Sequence, residues 1–247
     1  MRILGVIPSR YASTRFPAKP LADIAGKSMV ETVYAQVKKS GLITKAVVAT
    51  DNKKIYDHIN SFGGDVCMTS EDHVSGTDRC FEAYTLQKEH YDYVINIQGD
   101  EPFIDPLQIN LLAGLLDGKT ELATLIKKIE KKEQLFNSNV VKVVVNSLNE
   151  ALYFSRSTIP HVRNVAQQDW MAKHVFYKHI GMYAYRTDVL EKITQLPVSS
   201  LEQAESLEQL RWLENGFKIK TAITDIETMG IDTPEDLANA LADLRTR

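Results

Sequence analysis

The stretch YVINIQGDEPFIDPLQ, residues 93–108, runs from an apolar strand into a cluster of polar residues and out again into a helix start. Residues 93–98 are apolar with little interruption, the pattern of a strand covered on both faces, and Pro102 ends it. Asp105, Pro106 and Gln108 then carry the signature of a helix N-terminus. Two earlier runs read alike, RILGVIP at 2–8 and AVVAT at 46–50. Amphipathic stretches separate them. In SMVETVYAQVKKSG, residues 28–41, Met29, Val33 and Val37 make a helical stripe, Lys38 and Lys39 a basic last turn, and Gly41 the stop. The pattern predicts further helices over 52–62 and 77–90. This alternation predicts a parallel, doubly wound sheet, which takes ligands beyond the carboxyl ends of its strands. The chemically unusual segments all follow strands.

The middle of the chain is less regular. ELATLIKKI, VVKVVVN, ALYFSR and HIGMYAYR are strand-like, and the polar HVRNVAQQDWMAKH between the last two reads as an excursion rather than a packed element. Residues 119–186 are therefore expected to add strands and a protruding arm to a single domain spanning 1–247. SLEQAESLEQLRWLENG predicts one helix from a Ser200/Gln203 capping box to Gly216, with a stripe at Leu207, Leu210 and Leu213. A strand KIKTAIT then leads through MGIDTPEDL into a closing helix.

Composition bounds the partners. The chain has 247 residues, 44% apolar and 25% charged, with a formal net charge of -3. A general nucleic-acid surface would need a basic excess. No apolar run approaches the roughly 18 residues that cross a bilayer, so membrane insertion is not expected. Cys67 and Cys80 lie outside any C-x-x-C spacing, and no secretory leader pattern opens the sequence. Two reduced thiols in a cytoplasmic protein are expected.

Several constellations bear on chemistry. IPSRYASTRFPAKPL, residues 7–21, places Arg10, Arg15 and Lys19 in a loop where Ala12, Ser13 and Thr14 let main-chain amides approach a ligand. It reads either as a polyphosphate cradle, with forked and point-charge donors, or as a solvated basic loop; neither the Walker nor the dinucleotide glycine pattern is present. Gln98, Gly99, Asp100 and Glu101 follow a strand. Asp100 suits Mg²⁺, which takes one or two carboxylates and completes its shell with water and phosphate oxygens, while Gly99 clears space for a close approach. Thr233, Pro234 and Asp236 make a helix start and leave Asp232 outside it, free to meet Asp100 at one cation. In SGTDR, Ser75, Gly76 and Thr77 present amides at a helix start, whereas Arg79 is disfavoured there by the dipole and needs either an external acceptor or a salt bridge. His73 reads as an ordinary loop histidine. Arg156, His179, Tyr183, Tyr185, Glu208 and Gln209 read singly as core or surface residues that only a shared pocket would unite.

Taken in order, IPSRYASTRFPAKPL, VATD, CMTSEDHVSGTDR, VINIQGDEP, VKVV, ALYFSRSTIP, KHIGMYAYR, LEQLR and IDTPEDL closely resemble the 3-deoxy-D-manno-octulosonate (Kdo) cytidylyltransferases, over essentially the whole chain. The resemblance implies an α/β, three-layer Rossmann-like nucleotide-diphospho-sugar transferase fold with a mixed, mostly parallel sheet. It also implies a homodimer made largely by the middle segment. The implied reaction is transfer of CMP from CTP to the anomeric hydroxyl of Kdo, an acidic eight-carbon sugar, with release of pyrophosphate, for lipopolysaccharide synthesis in a Gram-negative cytoplasm.

Carried over by position, Arg10 and Lys19 match phosphate-contacting residues, with Arg15 beside them. Asp100 and Asp232 match magnesium ligands, and with Arg10 and Lys19 form the implied catalytic set. Ser75, Gly76, Thr77 and Arg79 match the cytidine-recognising stretch. Gln98, Arg156, His179, Tyr185, Glu208 and Gln209 match positions on the sugar side. Ser9 and Ala18 stand where many members have Ala and Gly, and Asp78 where many have Glu. The last departure leaves the 8-amino analogue of Kdo open as the substrate. A non-catalytic regulator would have lost a metal carboxylate or Lys19, and a sugar-1-phosphate pyrophosphorylase would open on G-x-G-x-R; neither pattern holds here.

Overall fold

Continuous apolar runs become fully covered strands. The computed structural model describes residues 1–12 and 15–245, so Ser13 and Thr14 of the basic loop lie outside the described residues. The chain falls into two compact units, Met1–Ala113 with the stretch from Thr228 onward, and Gly114–Glu227.

The first unit follows the expected rhythm: β1 (Ile3–Ser9), a ribbon of β2 (Asp23–Ile24) and β3 (Lys27–Ser28), α1 (Met29–Lys38), β4 (Lys45–Thr50), α2 (Lys53–Ser61), β5 (Val66–Met68), α3 (Gly76–Thr85), β6 (Tyr93–Asn96) and α4 (Pro106–Ala113). Its strands pair in parallel in the order β6-β1-β4-β5. The Met29, Val33 and Val37 stripe is fully buried, and the Ser28 hydroxyl caps α1 by accepting the Glu31 N–H. α3 stops at Thr85, short of the expected 77–90. Register decides where chemistry can go. Ser9 pairs with Thr50 and Val6 with Asn96, so Arg10, Asp51 and the segment from Ile97 to Asp100 all leave the same edge of the sheet.

The second unit adds β7 (Leu122–Lys128), α5 (Lys132–Phe136), β8 (Lys142–Val145), β9 (Ala151–Ser155), α6 (Trp170–Lys173), β10 (Tyr177–Arg186), α7 (Thr187–Thr194), α8 (Ser200–Glu205), α9 (Gln209–Glu214) and β11 (Ile219–Ile223). Here β11 runs parallel to β7, while the β7–β10, β10–β8 and β8–β9 pairs are antiparallel. Lys178 stands opposite Lys127 on one side and Lys142 on the other, and all three are buried. Like charges across strands repel. Acceptors offset that repulsion here: Glu227 bonds Lys178 and lies 3.9 Å from Lys127, which also reaches the Asp225 carbonyl at 2.5 Å, and Lys142 bonds main-chain carbonyls.

Three sequence expectations are corrected in this unit. The single helix from Ser200 to Gly216 is two helices, broken where Ser206 adopts a left-handed φ of 51°. Its capping box is Ser199 with Glu202, one residue earlier than expected. The polar excursion is packed: Trp170 is 3% exposed in a cluster with Ile129, Leu135 and Phe176, and its indole N–H donates to the Val165 carbonyl at 3.0 Å. One aromatic ring supplies enough apolar area to hold an otherwise polar segment.

The chain then returns to the first unit as α10 (Pro234–Arg245). Ile231, next to Asp232, and Phe103, three residues after Asp100, pack into one cluster with Ile24, Met29, Ala240 and Phe16. Both acidic segments and the basic loop thus share an apolar anchor. Gly99 was expected to clear room for a ligand; the room is taken by the chain itself, because a Cβ there would lie 2.6 Å from the Pro8 carbonyl oxygen. Gly99→Ala must push β1 and the Asp100 segment apart. It should lower unfolding stability by about 1–3 kcal/mol, as overpacking does, read as a lower urea midpoint at unchanged m.

Candidate active site

Asp100 and Asp232, 132 positions apart in a sequence of 247, converge on one cation. The Lys19 ammonium donates to Asp100 Oδ2 at 2.7 Å and to Asp232 Oδ1 at 3.1 Å, and Arg15 Nη2 lies 3.2 Å from Asp232 Oδ2. Local chemistry enforces the meeting. The Ile231 N–H donates to the Asp100 carbonyl at 2.9 Å, joining the two acidic segments main chain to main chain. Asp236 accepts the N–H groups of Asp232 and Thr233 and its own N–H bonds the Thr233 hydroxyl, a capping box that fixes the residue just outside α10. Burial, and then the neighbouring Asp100 charge, push the Glu101 carboxyl up to about 7, against a hydrogen bond from Thr228.

The basic loop is shaped by its own backbone. The Ala18 N–H bonds the Tyr11 carbonyl at 3.1 Å and Ala18 itself adopts a left-handed φ of 57°, at the position where the resemblance expects Gly. That turn points Lys19 inward, where its side chain is 14% exposed, and leaves Arg15 at 67% and Arg10 at 50%. The loop therefore offers one ordered ammonium and two open guanidinium groups.

The Ser75–Arg79 stretch forms the start of α3. Ser75 caps it, accepting the Asp78 N–H at 3.1 Å and donating its hydroxyl to Asp78 Oδ2 at 2.9 Å. A Cβ on Gly76 would stand 3.3 Å from Asn96 Nδ2, and Thr77 is buried. Of the two readings left open for Arg79, the salt bridge is the one realised. Its guanidinium is 1% exposed, with Nη2 on Asp51 Oδ2 at 2.8 Å and Nη1 on Thr69 Oγ1 at 2.5 Å. Asp51 and Thr69 thus take up both terminal nitrogens of that guanidinium. Asp51, which sequence reasoning did not single out, also lies 3.7 Å from Arg10 Nε. Its signal was available: it ends β4 as the Asp100 segment ends β6.

In the second unit, His179, Tyr185, Glu208 and Gln209 gather around Tyr183 and Trp212. His179 and Tyr183 ring centres are 5.1 Å apart, and Trp212 meets the edges of Tyr183 and Tyr185 at 5.1 and 5.7 Å. Burial, the nearby Tyr185 and the charge of Glu208 all raise the Tyr183 phenol. Buried His179 Nε2, Gln209 Nε2 and Trp212 Nε1 have no hydrogen-bond partner among the described residues, whereas most buried polar atoms find one. Gln98, at the end of the β6 segment, belongs to the first unit. Arg156 stands apart from the aromatic group, its Nε, Nη1 and Nη2 donating to the carbonyls of Glu205, Ser138 and Ser206.

Among the described residues, no group of three or more His, Cys, Asp or Glu side chains stands in metal-holding geometry. The pair Asp100 and Asp232 fits Mg²⁺ on other grounds. Their oxygens already share one cation, the Lys19 ammonium, and two carboxylates plus phosphate oxygens is how proteins commonly hold that ion. Neither Cys67 nor Cys80 forms a disulfide among the described residues, and burial pushes the Cys67 thiol up to about 11. No helix of the described residues is long and apolar enough to cross a membrane.

An acid that follows β6 and another that precedes α10, brought onto one ammonium beside a cationic loop on an α/β scaffold, fit an α/β nucleotidyltransferase. Residues 4–221 match the cytidylyltransferase family. The chain belongs to that family, and within it to the 3-deoxy-manno-octulosonate cytidylyltransferases. The protein of that name from Cytophaga hutchinsonii is 60% identical over 95% of this chain and 94% of its own length. Its namesake from Parabacteroides distasonis is 56% identical over 100% of both. The solved structure of CMP:2-keto-3-deoxy-manno-octonic acid synthetase complexed with CTP superposes with a TM-score of 0.92 at 42% identity, covering 100% of this chain and 99% of that one. HddC from Yersinia pseudotuberculosis, 15% identical with a TM-score of 0.68 over 99% of this chain and 100% of its own, shares the fold alone.

Two measurements probe this geometry. Asp51→Ala strands the Arg79 guanidinium in the interior and should cost about 3–5 kcal/mol of unfolding free energy, measured by urea titration. His179 is held neutral by burial, its pKa lowered from 6.5 to about 3, so the unfolded chain takes up the proton first. The stability this contributes is complete above the ordinary pKa of about 6.5 and declines as pH falls through that value toward 3. His179→Phe should flatten that acid limb in urea midpoints recorded across the range.

Proposed function

We propose that this chain transfers CMP from CTP to the anomeric hydroxyl of Kdo, releasing pyrophosphate, and that Asp100 and Asp232 together hold the magnesium ion the reaction uses. The observation that carries the reading is the shared coordination of one ammonium by those two carboxylates. The names of the relatives and the CTP-bound structure support the reaction and the nucleotide.

In this reading the anomeric oxygen attacks the α-phosphorus in line, the bond to the β-phosphate bridging oxygen breaks, and the hydroxyl proton leaves to solvent. Asp100 and Asp232 would hold the magnesium ion, which when bound would supply charge neutralisation to the phosphates and lower the pKa of the attacking hydroxyl. Lys19, Arg10 and Arg15 neutralise the departing pyrophosphate, and the open exposure of both arginines suits groups that close on a ligand. The Ser75–Thr77 turn takes the cytidine, while Arg79 holds Asp51 and the turn in place. Gln98, Arg156, His179, Tyr185, Glu208 and Gln209 line the sugar side, with Arg156 as partner of the sugar carboxylate. A buried donor set left unpaired by a neutral hexose would cost about 1–3 kcal/mol per group, which gives the acidic substrate its advantage. The protein works as a homodimer in the cytoplasm and feeds lipopolysaccharide synthesis.

Pyrophosphate release from CTP, with Kdo and its 8-amino analogue offered in parallel and with or without Mg²⁺, tests the reading. Asp100→Asn and Asp232→Asn should each lower kcat at least about a hundredfold, the loss seen when a preorganised electrostatic group is removed. Near-normal turnover of either variant in Mg²⁺ would overturn the metal assignment. Faster reaction with the amino analogue would overturn the choice of sugar.

A further inference from the structure

Lys142 is the least expected charge in the molecule, a lysine in the apolar run VVKVVVN with no exposed surface. Its ammonium donates to the carbonyls of Asn137 at 2.9 Å, Val140 at 2.6 Å and Arg156 at 2.5 Å. Burial, the dominant influence, lowers its pKa, with Glu205 opposing and Arg156 adding to the shift. A buried ammonium is costly unless all of its protons are used, and here three carbonyls use them. An apolar residue would pack without that cost, but it would leave those carbonyls unpaired.

The arrangement around Arg156 is reciprocal. Its peptide carbonyl is held by Lys142, and its peptide N–H donates to the Glu205 carboxylate at 2.8 Å. The other Glu205 oxygen accepts the Ser155 hydroxyl at 2.6 Å. The guanidinium in turn is bracketed by the same two segments. Nη1 reaches the Ser138 carbonyl at 3.3 Å, inside the 137–140 turn that Lys142 grips. Nε and Nη2 reach the carbonyls of Glu205 at 2.6 Å and Ser206 at 3.2 Å, the latter aimed by the left-handed turn that breaks α8 from α9. All of these acceptors are main-chain carbonyls, which orient the guanidinium while leaving its formal charge available to an anion.

We propose that Lys142 and Glu205 act as a pair of positioning residues, clamping the Arg156 main chain from opposite sides so that its guanidinium is preset for the carboxylate of the sugar. The proposal rests on the reading that Arg156 meets that carboxylate. It adds two residues that touch no substrate and explains why a buried lysine interrupts an apolar strand. A fork that is ordered before the ligand arrives loses less side-chain entropy on binding, and two parallel N–H bonds to a carboxylate demand that order.

The test uses the full-length protein, saturating CTP and varied Kdo, then the reverse, with Arg156→Ala, Lys142→Met, Glu205→Gln and the double variant Lys142→Met/Arg156→Ala. Lys142→Met should raise KM for the sugar about tenfold, the size of coupling between contacting groups, with KM for CTP unchanged. Glu205→Gln keeps one of the two hydrogen bonds and should shift sugar KM in the same direction by less. In the Arg156→Ala background, Lys142→Met should add nothing. A rise in both KM values alike, or an additive effect in the double variant, overturns the proposal and makes Lys142 a packing element only. If Lys142→Met does not fold, Glu205→Gln decides, and an unchanged sugar KM in that variant is equally fatal. Failure of the underlying reading is seen separately, as an Arg156→Ala variant with unchanged sugar KM, and it removes the clamp proposal with it.

Discussion

The hydrogen bond from Ile231 N–H to the Asp100 carbonyl is the small constraint on which the candidate site depends. It ties the segment after β6 to the segment before α10, main chain to main chain. Bringing like charges together is unfavourable by Coulomb's law unless a cation intervenes. The fold supplies that cation from the loop after β1, so that apolar anchoring by Ile231, Phe103 and Phe16 and electrostatic compensation by Lys19 act at one place. Neither is sufficient alone. Apolar packing sets where the backbones lie, and the ammonium makes their charges compatible.

A second theme is the use of buried cations as internal fasteners. Arg79 is spent on Asp51 and Thr69, Lys178 on Glu227, and Lys142 on three carbonyls. Each sits where an apolar side chain would have packed at lower desolvation cost. Each also fixes the direction of a polar segment, which apolar contacts, being non-directional, cannot do. Arg10 and Arg15, on the loop that follows β1, stay exposed instead.

Much of this was legible in the amino-acid sequence, and the rest fails for identifiable reasons. Continuous apolar runs bounded by polar turns give β1, β4 and β6 directly, and Ser28, Asp105 and Thr233 mark helix starts through local chemistry. Asp100 and Asp232 stand out because each follows an apolar stretch and has no local duty. Long-range pairings are a different matter. Nothing local in SGTDR says that Arg79 turns inward to Asp51, since an external acceptor satisfies the same residues equally well. The break at Ser206 is invisible because SLEQAESLEQLRWLENG keeps a helical stripe on both sides of it. The packing of Trp170 depends in part on Leu135 and Ile129, 35 and 41 positions earlier in the chain, and the helical and strand periods do not report it. Gly99 illustrates a subtler ambiguity: a missing side chain announces a close approach without naming what approaches.

The chain contains two tryptophans, and they lie in different environments. Trp170 fastens the polar excursion through Ile129, Leu135 and Phe176, and Trp212 sits edge-on to Tyr183 and Tyr185. Indole emission therefore carries two separable signals, one from the fastening of a loop and one from the buried aromatic group around Tyr183. Replacing either indole isolates the other, which turns the protein's own fluorescence into a reporter of region rather than of the whole.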